Sequence, residues 1–187
     1  MSELFSIQLQ NRQQQGRDGV WLDLPTTTEQ VQAALRQIGI SSDNPQGLFI
    51  SGYFAEEEKR FAIPYNMVLA SNVDELNFLA SRLETLSAEE RAELNAALQA
   101  PQSELFSIGR ITDFPENVDY YVHLPDVTGT GQLGDYYLNR SGMVDMPEEW
   151  KGGIDTAQFG RYVAQQEQGV FTQYGYLVKS GDEWQKV

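Results

Sequence analysis

The chain has no cysteine among its 187 residues, which excludes disulfides and thiolate metal sites. It has one histidine, His123, and a lone imidazole does not define a Ser–His–acid arrangement. No apolar run approaches the roughly 18 residues that a membrane-spanning helix needs. The opening Met1-Ser2-Glu3-Leu4-Phe5-Ser6 lacks the basic start and apolar core of a signal peptide, so the expected compartment is the cytoplasm. Basic residues are scarce: 13 Lys and Arg stand against 27 Asp and Glu, for a net charge of −14. Nucleic acids and anionic membranes reward positive charge, so neither is an expected direct partner. A basic protein is.

What the chain does have is a spaced set of acids. Residues 113–155 carry Asp113, Glu116, Asp119, Asp126, Asp135, Asp145, Glu148, Glu149 and Asp155 against Arg140 and Lys151. Nine acids less two bases leave −7, half of the total charge in 43 residues. The acids are interleaved with Tyr120, Tyr121, Leu133, Tyr136, Tyr137, Leu138, Val144 and Trp150. Apolar residues at that density support a fold, unlike the bunched charge of a disordered tail. The carboxylates are therefore expected at fixed positions on a folded surface.

Taken in order, Leu4 to Leu9 alternates like a strand, Asn11 to Gly19 is turn-rich, and Val20 to Leu24 is a second strand stopped by Pro25. Thr26-Thr27-Thr28 offers helix caps before Val31, Leu35 and Ile38, with Gly39 as the stop. Ser41 to Gln46 reads as a loop and Gly47 to Phe54 as a third strand. Glu56 to Arg60 reads as a solvated hairpin tip, and Pro64 to Ser71 as a linker. Asn72 with Glu75 three residues on predicts a capped helix whose stripe is Leu76, Leu79, Ala80, Leu83 and Leu86. Ser87-Ala88-Glu89-Glu90 starts another, with Leu94, Ala97 and Leu98 inward.

Ser103-Glu104-Leu105-Phe106-Ser107-Ile108 then repeats residues 2–7 letter for letter. Tyr121 to Pro125 echoes Trp21 to Pro25 at an offset of 100. The spacing predicts two related strand–strand–helix units separated by helices. Gln132 to Ser141 reads as a helix, and Pro147-Glu148-Glu149 as the first turn of another. Asp155 is expected to cap a helix that turns Phe159, Tyr162 and Val163 inward. Gly169 to Lys179 reads as one strand or two half-strands, and the tail from Ser180 as loose. The fold class expected is α+β with three small domains. These are an N-terminal α+β domain (1–62), a helical middle domain (63–102) and a C-terminal acidic α+β domain (103–187), the outer two with short antiparallel sheets.

No catalytic residues are expected. Gly129-Thr130-Gly131 lacks the lysine and spacing of a phosphate loop, and Glu148-Glu149 lacks the surrounding ligand spacing of a Ca²⁺ or Mg²⁺ loop. No metal and no cofactor are expected. The competing reading is a small carboxylate-dependent or metal-dependent hydrolase.

The ordered pieces resemble the ArdA antirestriction proteins of plasmids, conjugative transposons and phages. The carriers are Trp21-Leu22-Asp23-Leu24-Pro25, Ile38-Gly39-Ile40, Leu48-Phe49-Ile50, Asn72 to Ala80, Leu133-Gly134-Asp135-Tyr136-Tyr137, Met146-Pro147-Glu148, Asp155 to Arg161 and Gly169 to Tyr176. The resemblance implies an elongated, three-domain, non-enzymatic protein that dimerises and imitates bent B-form DNA. It implies as partner a type I restriction–modification enzyme, whose DNA-binding groove the mimic occupies; another basic DNA-binding protein is the alternative target. The nine acids from Asp113 to Asp155 become candidate phosphate stand-ins. A dimer would carry twice −14, or −28, the charge of about 14 base pairs. The cluster Tyr136, Tyr137, Leu138, Met143 and Val144 is the expected dimer contact.

Overall fold

The computed structural model describes residues 3–14, 18–41, 46–101 and 103–186, with the side chain of Glu58 outside the description. Most of the loop expected at 41–46, and part of the turn expected at 11–19, lie outside the described residues. The fold is α+β. The residues divide into two compact units, the first formed by 1–87 and 105–115, the second by 88–104 and 116–187. Helices expected in one middle segment thus fall one in each unit.

In the first unit, β1 (Phe5–Asn11) is the central strand between β2 (Val20–Leu24) and β3 (Leu48–Phe54), both antiparallel to it. Alternation explains the sidedness: Phe5, Ile7 and Leu9 are buried with Leu22 and Leu24 of β2. The helix α1 (Thr28–Gln37) opens on Thr27, whose side chain and that of Gln30 satisfy each other's backbone N–H groups. It closes at Gly39, φ +70°, with Ile40 N–H donating to the Leu35 carbonyl and Gly39 N–H to that of Arg36. That left-handed turn is what glycine permits without strain.

Two readings change here. Residues Glu57–Lys59 form a short 3₁₀ turn, and the element that follows is a helix and not a returning strand, so the expected hairpin tip is absent. The expected linker holds a helix, α2 (Tyr65–Leu69), because Val68 is 1% exposed and anchors it in the core. After it, α3 (Val73–Leu83) is capped by Asn72, whose side chain accepts from Glu75 N–H at 2.9 Å. Its stripe of Leu76, Leu79, Ala80 and Leu83 is fully buried.

The repeated hexapeptide corrects the idea of two equivalent units. In the first copy Ser6 sits in β1 and donates to Asp23 at 2.9 Å. In the second copy Ser107 instead accepts from Arg110 N–H and starts a helix, α5 (Ile108–Thr112). The sequence that follows decides. Gln8-Leu9-Gln10-Asn11 continues an alternation, whereas Gly109-Arg110-Ile111 places Ile108 and Ile111 three apart, both buried. The helix α5 belongs to the first unit, where it packs on α3.

The second unit contains α4 (Ala88–Gln99) and a sheet in the order β4 (Tyr121–Leu124), β6 (Gly175–Lys179), β5 (Val170–Thr172), all antiparallel. Its other helices are α6 (Thr130–Asp135), which runs on into a π-helical turn over Tyr136–Arg140, then α7 (Glu148–Lys151) and α8 (Thr156–Glu167). Asp155 caps α8 by accepting from Gln158 N–H at 3.0 Å. Helices α6 and α8 meet glycine against backbone. A Cβ on Gly160 would lie 1.9 Å from the Thr130 carbonyl, and one on Gly134 1.9 Å from that of Thr156. The face of α8 that makes this contact runs through Thr156, Gly160 and Glu167. Tyr162 lies about 200° around the helix from Gly160 and is 59% exposed, not inward as expected.

The tail is also tied down. Asn117 is buried and its amide donates to the Gln185 carbonyl at 2.9 Å while its oxygen accepts from Gln185 N–H at 2.7 Å. Trp184 stacks edge-on against Tyr120 at 5.1 Å. These contacts hold the segment that polarity alone marked as loose.

Candidate functional site

The structure places the nine acids on turns and helix ends. Asp113 follows α5 and belongs to the first unit; the other eight belong to the second. Glu116 and Asp119 sit in 3₁₀ turns over 114–116 and 118–120, and Asp126 in the turn after β4. Asp135 ends α6, Glu148 and Glu149 open α7, and Asp145 lies in the irregular stretch between. Seven of the nine are exposed, Asp113 and Asp135 partly so.

Their charges are not equally available. The π turn sets Arg140 beside Asp135 at 3.4 Å, with Asn139 donating to the other carboxylate oxygen at 2.8 Å. Glu148 pairs with Lys151 at 2.6 Å, and Asp155 caps α8. Exposed pairs of this kind contribute about 0–1 kcal/mol, but they partly neutralise the acid. Asp119, Asp126, Asp145 and Glu149, by contrast, form no hydrogen bond or ion pair among the described residues. Their negative charge faces water. By unit, twelve acids against seven bases leave −5 in the first, and fifteen against six leave −9 in the second.

One acid outside the expected set behaves differently. Glu93 of α4 has its carboxyl pushed up to about 8, first by burial and then by the charges of Asp119 and Glu90. Its helix stripe gave no sign of this, because the neighbour Asp119 arrives from a segment 26 residues away.

The aromatic cluster is mostly interior. Leu138 is 2% exposed, and Tyr136 and Tyr137 pack against the buried core of Val127, Leu133 and Tyr176. Met143 is 73% exposed and Val144 half-buried. The Tyr137 hydroxyl donates to Glu167, whose other carboxylate oxygen accepts from Tyr176 at 2.9 Å. Burial first, then the bond to Glu167, drives both phenol pKa values well above their usual range. Sequence reasoning missed Glu167. Its signal was its place four residues after Val163 on the inward stripe of α8.

His123 has a structural partner: its Nε2–H donates to the Tyr174 carbonyl at 2.8 Å. Among the described residues no three of His, Asp and Glu gather as metal ligands would. No helix among them is long and apolar enough to cross a membrane. The second unit presents an acidic surface, and those of the nine acids without a counter-charge among the described residues, Asp119, Asp126, Asp145 and Glu149, all belong to it. A family model described as antirestriction protein (ArdA) matches residues 15–178. No curated protein matches the chain significantly.

Proposed function

The chain belongs to the ArdA antirestriction family, and we propose that it acts as a DNA mimic, without catalysis, in the DNA-binding groove of a type I restriction–modification enzyme in the cytoplasm. The observation that carries this reading is the set of exposed acids held on ordered turns and helix ends, four of them without any internal counter-charge. A carboxylate fixed in place and unneutralised can substitute for a phosphate opposite Lys and Arg. A mobile or internally paired one does so less well, because ordering it or breaking its pair offsets the gain.

Two variants test placement against bulk charge. Asp113, Glu116, Asp119, Asp126, Asp135, Glu148 and Glu149 are replaced together by their amides in one. Glu3, Asp18, Asp43, Glu56, Glu57, Glu58 and Glu183 are replaced in the other. Competition with DNA for a type I enzyme is measured at low salt, with circular dichroism as the folding control. The first variant should lose inhibition and the second retain most of it; any single change, such as Asp126→Asn, should have little effect. Equal loss from both sets would reduce the role of 113–155 to net charge. Complete loss from one substitution would point to a discrete site and favour a hydrolase.

The protein acts as a homodimer in this proposal, with Met143 as the exposed member of the contact formed by the 136–144 stretch. The dimer's −28 repels itself, so association should strengthen as salt rises, while binding to the enzyme should weaken. Sedimentation of the wild type and Met143→Asp at two salt concentrations measures the first effect. A monomer at micromolar concentration in high salt would remove the dimer from the proposal.

A further inference from the structure

The second unit contains a half-open cavity of about 640 Å³, a size typical of small-molecule sites. It lies between the end of α4, the β-sheet and α8. Helix α8 lines it with Arg161, Ala164 and Gln165, spaced along one stripe, and the cap residue Gln168 follows them. The sheet contributes an apolar wall of Val170, Phe171, Leu177 and Val178, together with Tyr121 and Lys179. Ala100 and Pro101 close the third side.

Its electrostatics run against those of the whole chain. Among the described residues three charged ones line the cavity: Arg161, Glu167 and Lys179. Both carboxylate oxygens of Glu167 are occupied by the hydroxyls of Tyr137 and Tyr176. Lys179 is paired with Glu104 at 2.7 Å. Arg161 is exposed and makes no hydrogen bond or ion pair among the described residues. The lining therefore offers an apolar wall, an uncommitted guanidinium and no uncommitted carboxylate.

We propose that this cavity binds an amphipathic monocarboxylate of the medium-chain fatty acid class. The carboxylate pairs with Arg161 in the forked geometry that a guanidinium favours, and the alkyl chain lies over Val170, Phe171 and Leu177. The proposal is independent of the DNA-mimic reading, since it uses none of the acids on which that reading rests. It makes two quantitative demands. Each added methylene that enters the apolar part should tighten binding about fourfold, and removal of the carboxylate or of the guanidinium should weaken it about tenfold or more.

The full-length protein is titrated with decanoate, octanoate and decanol, each below its aggregation limit, by calorimetry and by NMR of the isotopically labelled chain. Decanoate should bind in the micromolar to millimolar range, octanoate more weakly by about an order of magnitude, and decanol at least about tenfold more weakly than decanoate. In Arg161→Gln the preference for decanoate over decanol should vanish while circular dichroism stays unchanged. Ala100→Phe, which places a ring at the cavity wall, should weaken both ligands in a chain that remains folded. Absence of decanoate binding, equal affinity for decanol, or indifference to Arg161→Gln would each overturn the proposal. So would chemical-shift changes confined to residues away from α8 and β5.

Discussion

Glu167 ends α8 with both carboxylate oxygens accepting phenol hydroxyls, one from the π turn and one from β6. Replacing it with alanine should therefore destabilise the second unit out of proportion to the few atoms removed. A hydrogen bond to a charged group contributes about 1.5–3 kcal/mol, and a buried donor left without a partner costs about 1–3 kcal/mol. Tyr176 is 0% exposed, so its abandoned hydroxyl should cost toward the top of that range. Tyr137 is only partly buried, and water can take over as acceptor there at little cost. The expected total for Glu167→Ala is about 3–4 kcal/mol, and Glu167→Gln, which keeps one oxygen acceptor, should lose about half of it. Tyr137→Phe should cost about 1 kcal/mol in the wild type and close to nothing in Glu167→Ala, since the acceptor has already gone. Urea unfolding followed by tryptophan fluorescence measures this in a Trp21→Phe background, where the remaining Trp150 and Trp184 both report on the second unit. A loss below about 0.5 kcal/mol for Glu167→Ala, or strict additivity with Tyr137→Phe, would refute the reasoning.

Gly160→Ala should cost at least about 3 kcal/mol, because its methyl would meet the Thr130 carbonyl at 1.9 Å and Gly134 N at 2.6 Å; thermal melts and the inhibition assay should fail together. Glu93 predicts a pH dependence. Its folded carboxyl titrates near 8 against an ordinary 4.5, so the folded chain holds the proton more tightly and stability falls as pH rises through that window. Calorimetric melts at pH 5 and pH 8 should show the fall in the wild type and a flatter profile, with a higher melting temperature at pH 8, in Glu93→Gln. Asn117→Ala removes both bonds to Gln185 and should lower stability by about 1–2 kcal/mol. It should also release the tail, measured as faster tryptic cleavage after Lys179.

The parts of this fold legible in the sequence are those fixed by neighbours in the chain. The boundaries of β2, the Asn72 and Asp155 caps and the buried stripe of α3 each depend on residues within one or two helical turns. What could not be read depends on distant partners. The same letters lead into a strand from Phe5 where Asp23 and the alternation after Ile7 support one, and into a helix from Ile108 where Ile111 completes a helical pair. The polar tail is ordered because Asn117, 68 residues away, matches its backbone. At the candidate site, the acids could be located by counting, but their availability could not. That Asp135 is answered by Arg140 depends on a π turn, and that Glu93 holds its proton depends first on its burial and then on Asp119 arriving across the unit.

A ribosome delivers this chain from its N-terminus, and the interleaving of the two units determines what can be finished when. The first unit buries Ile108, Ile111 and Phe114, yet α4, which the second unit requires, is made before them. When Ser87 has emerged, α3 still lacks the helix that covers it. The sheet of the second unit needs β6, which is complete only at Lys179. A gene fragment ending at Glu104 would yield a first unit without α5, with an apolar groove where that helix belongs. Neither unit is a separable cassette, so an exchange of halves between relatives would have to cut within the chain at several places to carry either one whole.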